Sequence, residues 1–209
     1  MFIEINNCTK RIGKATVLDN VSLRMESGKI YGFAGANGSG KTMLMRAICG
    51  LISLSEGQIV LDGKVLGKEL SFPESVGALI ENPGFIPYYS AYKNLKILAD
   101  LRGDIGGEEI DAILTRMGLY DVKDDKVKTY SLGMKQKLGI AAAVMEEPRL
   151  LILDEPFNGL DEKSVALVKE IVLEKKKAGT LVVLSCHDRS MLEDLSDEIF
   201  MIESGRIVG

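Results

Sequence analysis

Residues Gly35 to Thr42 read G-A-N-G-S-G-K-T and fit the phosphate-cradling pattern G-x-x-x-x-G-K-[ST]. The flanks give the pattern meaning. Ile30-Tyr31-Gly32-Phe33-Ala34 is a short apolar run that predicts a strand, and Met43-Leu44-Met45-Arg46-Ala47-Ile48 predicts a helix. Between them, Gly35, Gly38 and Gly40 let the backbone turn tightly and aim its N–H groups inward. Those N–H groups and the following helix N-terminus favour an anion. Gly35, Ala36, Asn37, Gly38, Ser39, Gly40, Lys41, Thr42 and Met43 are therefore the expected phosphate-binding residues. Lys41 brings a point charge to the outer phosphates, and the Thr42 hydroxyl can ligate Mg²⁺.

Bulk properties are those of an ordinary globular domain. The chain has 209 residues, 46% apolar and 27% charged, which suffices for one sizeable core and a subdomain. The net charge of −4 gives no reason to expect nucleic acid as a partner. No apolar run approaches the ~18 residues of a membrane span. The N-terminal Met1-Phe2-Ile3-Glu4-Ile5-Asn6 lacks the basic-then-apolar order of a secretory signal. Cys8, Cys49 and Cys186 form no C-x-x-C pair and read as reduced cytosolic thiols serving as small apolar filler.

Further strands are predicted at Phe2 to Asn6, Val21 to Met25, Gln58 to Leu61 before the Asp62-Gly63 turn, and Val76 to Ile80. From about residue 88 to 146 the periodicity turns helical, through Leu95, Leu98, Ala99 and Arg102 and then Ile110, Ile113, Leu114 and Met117. Leu150 to Leu153 and Leu181 to Leu184 have the unbroken apolar character of buried parallel strands. Asp161 is placed to cap a helix carrying Val165, Leu167, Val168 and Val172, with Glu174 to Lys177 as its solvated end. Glu203-Ser204-Gly205 reads as a closing hairpin. The expectation is an α/β domain with a mainly parallel sheet, interrupted by a helical insertion.

The strand Leu150 to Leu153 runs directly into Asp154-Glu155. A carboxylate at the end of a buried strand is how phosphate-loop nucleoside triphosphatases hold Mg²⁺, so Asp154 is expected in that role. Glu155 is placed to polarise a water for attack on the γ-phosphate. Tyr130-Ser131-Leu132-Gly133-Met134-Lys135-Gln136 then stands at the head of an apolar helix. Here the chain resembles the ATP-binding cassette (ABC) ATPases, whose L-S-G-G-Q element begins a helix between the phosphate loop and the acidic strand. Ser131 and Gly133 match that element; Tyr130, Leu132 and Met134 depart from it. Asn158-Gly159-Leu160-Asp161 is similar to the family's D-loop, and His187, the one histidine, follows the next apolar strand as the family's γ-phosphate histidine does.

The resemblance covers essentially the whole chain. It implies a P-loop core at 1–87 and 147–209 with an N-terminal antiparallel β-subdomain, and a helical subdomain at about 88–146. It implies ATP and Mg²⁺ as ligands, with Lys41, Glu155 and His187 catalytic and Thr42, Asp154 and Glu81 at the metal. Ser131 and Gly133 would serve the ATP of a second cassette in a sandwich dimer, whether a second copy or a homologue. Ser131 can also act as a plain helix N-cap, worth ~1 kcal/mol. Glu81 stands where the family has a glutamine, and the run E-N-P-G-F resembles subunits that export, or confer immunity to, bacitracin and lantibiotic-type peptides. Ile12 stands where an aromatic usually lies under adenine; with Val17 it can pack but not stack, a loss of ~1 kcal/mol that predicts poor discrimination between ATP and GTP. A separate membrane permease is expected to dock near Glu81 to Tyr92, with Phe85, Tyr88 and Tyr89 as contacts, and would hold the chain on the cytoplasmic face of the membrane. The rival reading is a soluble ABC ATPase acting on ribosomes or DNA. A small-molecule kinase is a weaker rival, since it would lack the Ser131 element and the Asp154-Glu155 pair.

Overall fold

The computed structural model describes residues 1–208. Its centre is a six-stranded sheet in the order β10-β9-β3-β8-β7-β6. The strands are β3 (Ile30–Ala34), β6 (Val76–Leu79), β7 (Leu150–Leu153), β8 (Leu181–Ser185), β9 (Glu198–Glu203) and β10 (Arg206–Ile207). All neighbours pair in parallel except β10, which closes the expected hairpin against β9. The strand period of two sends alternate side chains to two separate cores. Leu151, Leu153, Val182 and Leu184 join the core under the helical segment. Leu150, Ile152, Leu181 and Val183 join the core shared with the N-terminal sheet and α1 (Lys41–Ile48). That double burial is why these strands read as unbroken apolar runs.

The N-terminal sheet is antiparallel, in the order β2-β1-β4-β5. Here β1 (Phe2–Ile12) and β2 (Ala15–Glu26) form a hairpin longer than the two short strands expected. Register shifts between Ile5 and Arg11, with left-handed Asn7 (φ 50°) and Asn20 (φ 53°), break the alternation that would have revealed its full length. Glu56–Leu61 (β4) and Lys64–Val65 (β5) complete the sheet.

The helical segment comprises α2 (Ala91–Arg102), α3 (Gly107–Arg116) and α4 (Leu132–Val144), with two short 3₁₀ turns between α3 and α4. Beyond β7, the Asp161 side chain accepts from the Ser164 N–H at 2.8 Å and caps α5 (Glu162–Lys177), as expected. The end of α5 is not wholly solvated. Lys175 is buried and ion-paired with Glu147, because it continues the face of Val168, Ile171 and Val172 and its alkyl stem packs there. A short helix α6 (Arg189–Leu195), capped by Asp188, was not anticipated from its sequence. The three thiols are free and buried, and desolvation pushes Cys8 up to about 11 and Cys49 up to about 12, as inert filler requires. No helix among the described residues is long and apolar enough to cross a membrane.

Candidate functional site

The carboxyl ends of β3, β7 and β8 converge on a cleft of about 610 Å³, where an open parallel sheet is expected to bind its ligand. Its lining joins residues 37–43 to Val17, Glu81, Leu132, Asp154, Glu155 and His187. Between β3 and α1 the loop wraps tightly. Gly35 has φ 145°, and a Cβ there would lie 2.2 Å from the Ile202 carbonyl oxygen, so only glycine fits. Lys41 is 6% exposed, and its ammonium donates to the Gly35 and Ala36 carbonyls at 2.7 and 3.1 Å. Two of its three donors are thus used, and the third is available to an anion in the loop. Ser39 Oγ is buried there without a partner.

Asp154 is buried at the end of β7. Its Oδ2 accepts from the Thr42 hydroxyl at 2.7 Å, and its Oδ1 accepts from the Ser185 hydroxyl at 2.6 Å. Ser185 also accepts the Glu155 N–H at 3.0 Å. The register Leu153↔Leu184 puts Asp154 beside Ser185, so this polar end of an apolar strand was a usable signal that the sequence reading passed over.

The Glu155 carboxylate is held by His187. Oε2 accepts the His187 backbone N–H at 3.1 Å, while Oε1 lies 3.3 Å from Nε2 but outside hydrogen-bond alignment, leaving it buried and unpartnered. Burial pushes the Glu155 carboxyl above its ordinary value, and the nearby His187 and Lys41 only partly offset this. Glu155 lines the cleft, and a carboxylate with a raised proton affinity there is suited to accept a proton from water.

The remaining residues divide. Glu81 lines the cleft with Thr42 and Asp154, and its carboxylate pairs with Arg46 at 2.8 Å, one helical turn beyond Thr42. Ile12 is 53% exposed near the β1–β2 turn and outside the cleft lining, whereas Val17 lines it. Ser131 caps α4 by accepting from the Met134 N–H at 3.2 Å. Gly133 packs on the Asn158–Asp161 turn, where a Cβ would lie 2.6 Å from the Gly159 carbonyl oxygen. Neither lines the cleft of its own chain, whereas Leu132, 63% exposed, does.

No cluster of three or more acidic, histidine or cysteine side chains that could cage a metal occurs among the described residues. Thr42 and Asp154 nevertheless fit Mg²⁺, which keeps its waters and takes one or two protein oxygens beside substrate phosphates.

The family model "ABC transporter" matches residues 18–158. The chain is 46% identical to the uncharacterized ABC transporter ATP-binding protein YybJ of Bacillus subtilis (strain 168), over 98% of this chain and 94% of that one. It is 39% identical to the bacitracin transport ATP-binding protein BcrA of Enterococcus faecalis, over 99% of this chain and 68% of that one. A solved ATP-binding subunit of an ABC transporter superposes with TM-score 0.91 at 27% identity, covering all of this chain and 89% of that one. The chain belongs to the ABC transporter family, as its ATP-binding cassette.

Proposed function

We propose that this ABC ATPase powers a membrane permease carried on another polypeptide, for export of, or immunity to, an antimicrobial peptide. The observation that carries the chemistry is the pairing of buried Asp154, tied to Thr42, with Glu155, which lines the same cleft as the phosphate loop. The loop N–H groups and Lys41 bind the phosphates of ATP and neutralise charge that develops on them. Thr42 and Asp154 would hold Mg²⁺, which when bound would polarise the phosphate oxygens. Glu155 takes a proton from the attacking water, and the His187 backbone N–H holds its carboxylate through Oε2.

Ser131 is exposed at the N-terminus of α4, where it is free to meet the nucleotide of a second cassette. Beside the cleft, Leu51, Leu79, Pro83, Phe85, Ile86 and Leu98 line an apolar groove of about 450 Å³. This supports docking of the permease near Glu81 to Tyr92, on the cytoplasmic face of the membrane. Within that segment Tyr88 is 68% exposed, while Phe85 packs partly against the core.

Similarity to the bacitracin transport protein, together with the Glu81-Asn82-Pro83-Gly84-Phe85 run, supports the peptide substrate. The test is survival of the native host under bacitracin and under a lantibiotic. Lys41→Ala should sensitise it to at least one; unchanged survival under both removes the peptide assignment while leaving the ATPase intact.

A further inference from the structure

Glu155 has φ 52°, a left-handed conformation that a non-glycine residue keeps only where its surroundings fix it. Side chains from two different elements do so. Ser185 of β8 accepts its N–H, and the Gln136 side-chain amide donates to its carbonyl at 2.9 Å. The Asn158 N–H adds a longer contact to that same carbonyl at 3.3 Å. Gln136 is 6% exposed and lies in the second turn of α4, the helix that Ser131 caps.

These contacts form a short mechanical path. Any shift of the Ser131–Gly133 end of α4 carries the Gln136 amide with it, because the first two turns of a helix move as one body. The Glu155 carbonyl is where that shift arrives, and the Glu155 side chain leaves the same Cα. We propose that Gln136 is a positioning residue for hydrolysis: its amide fixes the strained Glu155 backbone so that the carboxylate faces the phosphate loop only when α4 is seated. The proposal rests on the ATPase reading above. It makes turnover sensitive to whatever binds the head of α4 without any change in the phosphate loop itself.

Gln136→Met keeps the length and removes the donor. Gln136→Glu keeps the shape and turns the donor into an acceptor facing a carbonyl. Steady-state hydrolysis and equilibrium ATP binding on the full chain separate positioning from mere support. Both variants should lower kcat by roughly 10- to 100-fold, the cost of misplacing a reacting group by about 1 Å. KM and the ATP Kd should stay within about twofold, since Gln136 lines the cleft but the loop N–H groups, Lys41 and Thr42 that bind the phosphates are unchanged. On a Glu155→Gln background, Gln136→Met should leave the residual turnover unchanged, because both act on one group. Wild-type turnover, a fall in ATP binding that matches the fall in kcat, or additive losses in the double variant would each overturn the proposal. A wild-type chain that does not hydrolyse ATP would overturn the functional reading and this proposal together, whereas a wild-type-like Gln136→Met overturns the proposal alone.

Discussion

The Thr42 hydroxyl donates to Asp154 Oδ2 at 2.7 Å, linking the first turn of α1 to the end of β7 across 112 residues of chain. With Ser185 on the other oxygen, the carboxylate is clamped from two elements. Ser185→Ala would leave Asp154 Oδ1 and the Glu155 N–H without that partner in a fully buried position. The expected cost is ~1–3 kcal/mol of stability. The Mg²⁺ concentration for half-maximal hydrolysis should rise roughly 10- to 100-fold. Denaturant melts and a Mg²⁺ titration of ATPase activity check both, and an unchanged Mg²⁺ requirement would place the metal away from Asp154.

Glu155→Gln removes the proton acceptor and should reduce kcat by roughly 10²- to 10⁴-fold while ATP still binds. In gel filtration with MgATP, this variant should run as a dimer; a monomer would sink the simple sandwich for the isolated chain.

The same substitution carries a pH signature. Burial raises the Glu155 carboxyl, so the folded chain binds that proton more tightly than the unfolded chain does. Its stabilising contribution is complete below the ordinary value of 4.5 and is lost as pH rises through the raised folded value. At neutral pH the ionised carboxylate therefore costs stability, and Glu155→Gln relieves it. The Tm advantage of the variant should grow as pH rises above 4.5 through the raised folded value. An advantage that is flat or shrinking over that range would contradict the assigned burial.

Glu81 and Arg46 are both substantially exposed, so Glu81→Gln should change stability by less than ~1 kcal/mol. If the charge matters to the site, turnover or its Mg²⁺ dependence will shift. If neither moves, Glu81 acts only through the shape of its loop.

Gly133→Ala sets a Cβ against backbone rather than against a yielding side chain. The expected cost is ~1–3 kcal/mol, measured by thermal unfolding, as the Asn158–Asp161 turn is pushed aside. A neutral effect would mean that the turn gives way freely.

Competition binding should show GTP displacing ATP at comparable concentrations, because Ile12 lies outside the cleft lining and Val17, which lines it, can pack but offers no stacking face. A strong ATP preference would require another residue to read the base.

Much of this was legible in the sequence for a physical reason. Phosphate loops, buried parallel strands and strand-end carboxylates are local patterns, so Lys41, Thr42, Asp154 and Glu155 could be placed from short runs of residues. Ser185, Gln136 and Arg46 were missed because their roles depend on partners far along the chain. Their contacts join positions 31, 19 and 35 residues apart, which no local pattern records. The N-terminal hairpin was read too short because two left-handed asparagines interrupt its alternation. Lys175 was misread because charge suggested solvent, whereas the helical period placed its stem on the buried face.

The most direct test is affinity capture from detergent-solubilised native membranes, using tagged Glu155→Gln chain with MgATP. A multi-span permease should co-purify, and Leu98→Asp in the apolar groove should abolish its recovery without loss of ATP binding. Recovery of only soluble partners such as ribosomes, or a permease whose capture ignores Leu98→Asp, would contradict the account.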